Sequence, residues 1–332
     1  MNWALYSRFV PLFFSIFILS WMLVPFWSKS AIRAGLTGKD IHKSGEQRIP
    51  EMGGVIVLLT FIIGLMGYIA LRVFTLNAET NITLILALLT AVLIAGIIGL
   101  IDDILGWKIG LRQWQKPLLT LLVAAPIMAV NAGTRIMHLP FVGEVNLGMA
   151  YPLLVIPFLI LMGTNGFNML AGYNGLEAGQ GIIILSTLAY FSYQTHSPWL
   201  AVVALCFVFA LAGFWLHNKY PAKIFPGDTL TYTTGAVIAI IAILGNLEKI
   251  FLILYVPYIL EFFLKLRGRF QKESFAQIQE DGTLKPRYDK IYGLENLMVL
   301  FLNKLKIKTT ERRVVWSLHL FQLLFVLLTF VL

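Results

Sequence analysis

No charged residue separates Asn81 from Asp102, and two aspartates then close the run at Asp102-Asp103. A stretch of that length and apolarity suits a bilayer span, which needs about 20 apolar residues. Similar stretches recur along the chain, roughly at 5–27, 53–71, 82–101, 117–131, 151–167, 176–193, 199–216, 229–245, 250–264 and 314–332. The pattern predicts an all-α polytopic membrane protein of about ten transmembrane helices. Only 13% of the 332 residues are charged, against about 25% in soluble domains. No soluble domain of ordinary size fits between the spans, so the chain is read as one membrane domain. Its longest connection, 267–312, lies before the last span.

The first apolar stretch is too long for a cleavable signal and is read as a span. Cys206 is alone, so neither a disulfide nor a cysteine-type zinc site can form within the chain. The five histidines (His42, His138, His196, His217 and His319) form no metal-binding spacing.

Basic residues set the expected orientation. With ten alternating spans, 22 of the 26 Lys and Arg fall on the side that carries segments 28–52, 102–116, 165–175, 217–228 and 265–313. Positive loops face the cytoplasm, so both termini are expected outside. Fourteen of the 17 acids share that face, with only Glu79, Glu144 and Glu248 opposite. The positive-inside rule concerns Lys and Arg, so the co-segregated acids point to a working polar surface there. The net charge of +9 suits anionic lipids and phosphorylated substrates. Nucleic acid is not an expected partner, because the charges sit in short membrane-proximal loops.

Carboxylates at the edge of hydrocarbon are costly and usually mark a site. Asp102 and Asp103 leave a helix in directions roughly 100° apart, so one can bind while the other anchors a lysine. Asn165 and Asn168, three apart, share a helical face. With Asn174 they offer amide groups for a hard cation or a base. Gly227-Asp228-Thr229 opens an apolar run. Asp228 there suits either a helix N-cap or a magnesium ion, whose usual partners are one or two carboxylates and phosphate oxygens. Gly38-Lys39-Asp40 resembles a fragment of a nucleotide loop without the full spacing. Pro50-Glu51 before Gly53-Gly54 predicts a rigid entry and a close backbone approach. Arg267, Arg269 and Lys272 can cover a diphosphate. Glu280-Asp281-Gly282-Thr283 predicts a hairpin turn, and the segment after it, ending near Ile307, an amphipathic interfacial helix.

IPEMGG, LIDDILGW, NMLAGYNGLEAGQ and FPGDT stand in this order between the predicted spans. Together they resemble the polyprenyl-phosphate N-acetylhexosamine-1-phosphate transferase family. The nearest branch is the UDP-GlcNAc–dolichyl-phosphate GlcNAc-1-phosphotransferases of archaea and eukaryotes. The similarity covers about Lys29 to Arg313. It implies an enzyme that moves GlcNAc-1-phosphate from UDP-GlcNAc to a polyprenyl or dolichyl phosphate, releasing UMP. It also implies a cytoplasmic active site in the cell membrane of a prokaryote or the endoplasmic reticulum membrane of a eukaryote, and a possible homodimer. Asp102, Asp103, Lys116, Asn168 and Asp228 would form the catalytic set, with Asn168 and Asp228 holding Mg²⁺ or Mn²⁺. Gly38, Lys39, Asp40 and Glu51 would line the sugar-nucleotide pocket, Asn174 would lie near the uracil, and Asn165 would contact substrate. Lys108 or Arg112 are alternatives for Lys116. The long loop lacks the histidine cluster of the bacterial peptidoglycan branch, which argues against a muramoyl-pentapeptide substrate. The alternative function is a transporter of nucleotide sugars or phosphorylated lipids, for which an inverted repeat would be expected; the sequence shows none.

Overall fold

The computed structural model describes residues 7–41, 43, 48–76, 81–139, 143–195 and 197–332. His42, Glu79 and His196 lie outside these residues, as do the side chains of Lys108 and His138. The described chain is helical, with three small antiparallel hairpins. In chain order the main elements are α1 (Val10–Arg33), β1 (Thr37–Lys39), β2 (Arg48–Pro50), α2 (Gly54–Ala70) and α3 (Ile82–Ile109). Next come α4 (Gln115–Thr120), α5 (Ala125–Ala129), β3 (Ile136–Leu139), β4 (Gly143–Asn146), α6 (Ile156–Met169), α7 (Leu176–Gln194) and α8 (Pro198–Asn218). The chain ends with α9 (Gly227–Gly245), α10 (Glu248–Leu254), α11 (Val256–Arg267), β5 (Gln277–Ile278), β6 (Leu284–Lys285), α12 (Leu294–Lys304) and α13 (Glu311–Val331).

Helix α9 is the centre of the bundle. Residues 229–243 are buried around its whole circumference, and from Gly235 on it is apolar on every side, the pattern of a helix enclosed by others. It packs on α2, α3, α6, α7 and α8, and Leu230 and residues 236–243 are fully buried. Its threonines are satisfied locally. The Thr233 and Thr234 hydroxyls donate to the carbonyls of Thr229 and Leu230 at 2.7 Å. That matters in hydrocarbon, where an unpaired polar group finds no water. Between helices, Ser20 Oγ donates to Ala210 O at 2.8 Å and Tyr255 Oη to Gly163 O at 3.1 Å. Such bonds average only about 0.6 kcal/mol in a membrane, so close packing carries most of the association. The outer helices show the opposite face. Phe14, Trp21 and Phe26 on α1, and Leu320, Leu324 and Leu327 on α13, are exposed, a surface that lipid tolerates and water does not.

Helix occupies all ten predicted positions, but not always as one long rod. Among the described residues seven helices are long and apolar enough to cross a membrane. The predicted span at 117–131 is two short helices joined by a 3₁₀ turn. The one at 250–264 is broken at Tyr255, just before Pro257. The span at 176–193 is a single helix whose first turns carry Glu177 and Gln180. The predicted hairpin forms between β5 and β6, with Gly282 at φ +76°, and the predicted amphipathic helix is α12.

Candidate active site

Four of the sequence motifs meet at one end of the bundle. The chain reaches that end through the C-terminal parts of α3 and α6 and the N-terminal turns of α2, α4 and α9. Backbone bonds tie the first motif to the fourth: Phe225 N donates to Pro50 O, Gly53 N to Phe225 O and Gly54 N to Pro226 O, at 2.8–2.9 Å. The predicted close approach is at Gly54, where a Cβ would fall 2.3 Å from Leu230 N. No larger residue leaves room for α2 against the start of α9.

Lys116 is the hub. Its ammonium forms ion pairs with Asp102 Oδ2 and, at 3.0 Å, with Asp228 Oδ2. Asn168 Nδ2 donates to the same Asp228 oxygen at 3.3 Å. Asn168 Oδ1 accepts from Thr231 Oγ1 at 3.0 Å. Thus four helices each place a polar side chain in one cluster. Asp102 has a second task, accepting the Leu111 amide at 2.7 Å and so closing the loop that delivers Lys116. Arg112 is exposed.

The aspartate pair divides its labour. Asp103 Oδ1 accepts the backbone N–H of Asp228 at 2.6 Å, and Oδ2 accepts the Thr229 amide at 3.0 Å and hydroxyl at 2.7 Å. The first N–H groups of a helix have no partner within it, and a carboxylate there also meets the positive end of the helix dipole. Asp103 therefore caps α9 from another helix. Asp228 is not its own helix's cap: the N-cap position is Pro226, and no side chain of α9 caps it. This frees the Asp228 carboxylate to face Lys116.

The first motif forms a second layer. The β1–β2 hairpin pairs Gly38 with Ile49. Glu51 follows it and lays its carboxylate on Gly38, where a Cβ would fall 1.9 Å from Oε1. Burial, and then the nearby Asp103 charge, push the Glu51 carboxyl above the ordinary carboxylate range. Asp40 is buried and pairs with Lys43 at 2.8 Å. It also accepts from Asn174 Nδ2 at 3.1 Å, which joins the first loop to the third. Lys39 is exposed.

Among the described residues Asn165 makes no hydrogen bond to the cluster. Its amide donates to Thr120 Oγ1 at 2.7 Å and Leu161 O at 3.1 Å, so it fastens α6 to α4. Arg267, Arg269 and Lys272 are exposed. Arg267 lies over the Tyr292 ring and Lys272 over Tyr288, at 5.9 and 5.1 Å from the centroids. This basic loop touches the Lys116 loop through Gln113 Nε2, which donates to Phe270 O at 2.8 Å. Arg269 and Phe270 both hold positive φ, near 55°, a conformation rare for such residues.

Sequence reasoning missed several participants. Thr231 and Tyr232 were findable, since they fall three and four positions after Asp228 on one helical face. Glu311 was not. It accepts the Asn174 backbone N–H at 2.8 Å from 137 residues away.

The carboxylate–amide–lysine cluster at the shared end of apolar helices defines a polytopic membrane protein with a polar site at one membrane edge. Residues 84–246 match the model of glycosyl transferase family 4. A relative from Saccharolobus solfataricus is 37% identical over 83% of this chain and 83% of its own length. One from Sulfolobus acidocaldarius is 34% identical over 76% of each. Both carry, provisionally, the name UDP-N-acetylglucosamine–dolichyl-phosphate N-acetylglucosaminephosphotransferase. The Dictyostelium discoideum protein of that name is 27% identical over 74% of this chain and 68% of its own. This chain belongs to glycosyl transferase family 4, among relatives that bear that phosphotransferase name.

Proposed function

We propose that this protein transfers N-acetylglucosamine-1-phosphate from UDP-GlcNAc to a polyprenyl phosphate of the dolichyl type, releasing UMP at the cytoplasmic face of the membrane. The observation that carries the reading is Lys116, held between Asp102 and Asp228 with Asn168 alongside, at the ends of apolar helices. One substrate is water soluble and the other is anchored in lipid, so only a site at the bilayer edge serves both. The basic loops support a cytoplasmic side for that edge.

In the reaction a lipid-phosphate oxygen forms a bond to the phosphorus that carries the sugar. The bond from that phosphorus to the oxygen of UMP breaks, and UMP leaves with the electron pair. A phosphate monoester has a second pKa of about 6, so the attacking group is already largely a dianion at neutral pH. No strong base is required of Asp102. Phosphoryl transfer needs mainly positioning and charge stabilisation, and Lys116 supplies a positive charge at the site. Asp102 fixes that lysine and its loop, and Asp103 fixes the helix start that presents Asp228. Glu51, Asp40 and Asn174 would line the nucleotide side, and Arg267, Arg269 and Lys272 the diphosphate side.

Magnesium fits the donor set. Among the described residues no three His, Cys, Asp or Glu side chains form a metal-holding group, but Mg²⁺ characteristically takes one or two carboxylates and completes its shell with water and substrate phosphates. Asp228 and Asn168 would hold it, with Mn²⁺ as the alternative. Bound there, it would neutralise the charge that develops on the diphosphate.

The test is UMP release by purified protein given UDP-GlcNAc and a short polyprenyl phosphate, products separated by mass. Activity that EDTA abolishes and Mg²⁺ restores, and that Asp228→Ala lacks, is expected. Full activity of that variant in EDTA would overturn the metal assignment. Cysteine labelling of residues 104–113 and 219–223 from the cytoplasmic side checks the orientation.

A further inference from the structure

Tyr232 is fully buried on α9, one helical turn beyond Asp228 and next to Thr231, which bonds Asn168. The charges of Asp228, Lys116 and Asp102 act on its hydroxyl, Asn168 comes within its reach, and Lys116 is acted on by Tyr232 in turn. Yet Tyr232 Oη is a buried polar atom that closes no hydrogen bond of normal geometry. A buried tyrosine hydroxyl ordinarily finds a partner, and one without a partner costs stability. The hydroxyl is thus electrically coupled to the very groups read above as the reaction centre.

We infer that Tyr232 is a positioning residue for the transfer: its hydroxyl closes no hydrogen bond of normal geometry in the unliganded protein and takes the Lys116 ammonium when substrate phosphate draws that lysine away from Asp228. This rests on the transfer reading above. An ammonium has three donors and no acceptor. Lys116 directs two of them at carboxylates. An incoming diphosphate competes for Lys116, and the neighbouring Tyr232 phenol oxygen gives the moved ammonium a neutral acceptor. That holds the charge at the cluster without neutralising it, which a third carboxylate would do. The role is exercised in the liganded state, so it has a signature distinct from that of a packing hydroxyl.

Tyr232→Phe removes the oxygen and keeps the ring. The measurements are thermal unfolding of the unliganded protein and steady-state kinetics of UMP release. The expected result is a melting temperature equal to or above the wild type, kcat lowered about tenfold and KM for UDP-GlcNAc within about twofold. A further variant, Thr234→Val on the same helix, is expected to leave kcat unchanged. Unaltered kcat in Tyr232→Phe overturns the inference and leaves the transferase reading intact. A lowered melting temperature with a matching loss of activity also overturns it, since the hydroxyl would then be structural. A wild type that releases no UMP overturns the transferase reading, and with it this role.

Discussion

Asp103 holds the first turn of the helix that bears Asp228: its carboxylate takes the Asp228 amide at 2.6 Å and the Thr229 hydroxyl at 2.7 Å. Asp102, one residue earlier, instead pairs with Lys116. The two neighbours should therefore fail differently. Loss of a helix cap costs about 0.5–2 kcal/mol, and bonds to a charged acceptor rank at the upper end of ordinary values. Asp103→Ala is expected to lower stability by about 2 kcal/mol and to lose activity along with it. Asp102→Asn is expected to lower kcat while the melting temperature moves much less. Unfolding curves and UMP release on the two variants decide it. Equal loss of stability in both would sink the division of roles.

Lys116, Asp102 and Asp228 act as a unit, so their substitutions should not add. Residues in one ion-pair network show interaction energies of about 0.5–3 kcal/mol. Lys116→Met removes a positioned charge from the site, and loss of one such group typically costs 10²–10³ in rate. A fall in kcat of about 100-fold is expected, with a stability cost of about 1–3 kcal/mol. That range lies between exposed and buried pairs, since the Lys116 and Asp228 side chains are 25% and 29% exposed. The Lys116→Met, Asp228→Asn double variant should be hardly slower than the worse single one. Additive losses would show that the two residues work separately.

These contacts mark where the sequence was readable and where it was not. Apolar runs announced the helices, because a span must satisfy its own backbone and leaves little else to encode. Asp102 and Asp228 were legible because a carboxylate beside hydrocarbon is expensive, and Lys116 through the family resemblance. The role of Asp103 was not, since it spans 125 residues to Asp228 and depends on how two helices meet. The gathering of acids on one face was read as a working surface. The structure gives much of it another reason. Glu177 accepts the Gly172 amide at 2.6 Å, Glu261 the Leu294 amide at 2.6 Å, Glu311 the Asn174 amide at 2.8 Å and Asp102 the Leu111 amide at 2.7 Å. These four are buried, and each pins a loop or a helix start that hydrocarbon-facing residues cannot hold. The same need explains why the opposite face, with its shorter connections, carries few acids.

Under the proposed function, Glu311 links such a clamp to substrate recognition. Its Oε1 takes the Asn174 backbone amide, and Oε2 lies 3.4 Å from Asn174 Nδ2. Asn174 then reaches Asp40 across the loop. Glu311→Ala would leave a buried amide unsatisfied, at a cost of about 1–3 kcal/mol. That strain falls on the loop proposed to meet the nucleotide, so KM for UDP-GlcNAc is expected to rise several-fold, more than kcat falls. Glu311→Gln keeps an acceptor oxygen and should be intermediate. Kinetics at varied UDP-GlcNAc check the order. An unchanged KM in Glu311→Ala would detach this loop from the nucleotide.

Glu295 gives a pH test on the same face of the protein. It begins α12, fully buried, and neither of its carboxylate oxygens has a hydrogen-bond partner among the described residues. Burial first, and then the neighbouring Glu261 charge, push its carboxyl well above the usual 4.5, with Lys265 opposing and Glu177 adding. The sign follows from proton binding. Below about pH 4.5 both folded and unfolded chains hold the proton and no penalty arises. As pH rises, the unfolded chain releases it first, so folding stability declines until the folded-state value is passed. Glu295→Gln, which cannot ionise, should match the wild type near pH 4 and melt higher at pH 8. Melting curves of detergent-solubilised protein across that range check it. A variant that melts lower at pH 8 would mean that the carboxylate is ionised and paired in the folded state, and the burial argument for Glu295 would fail.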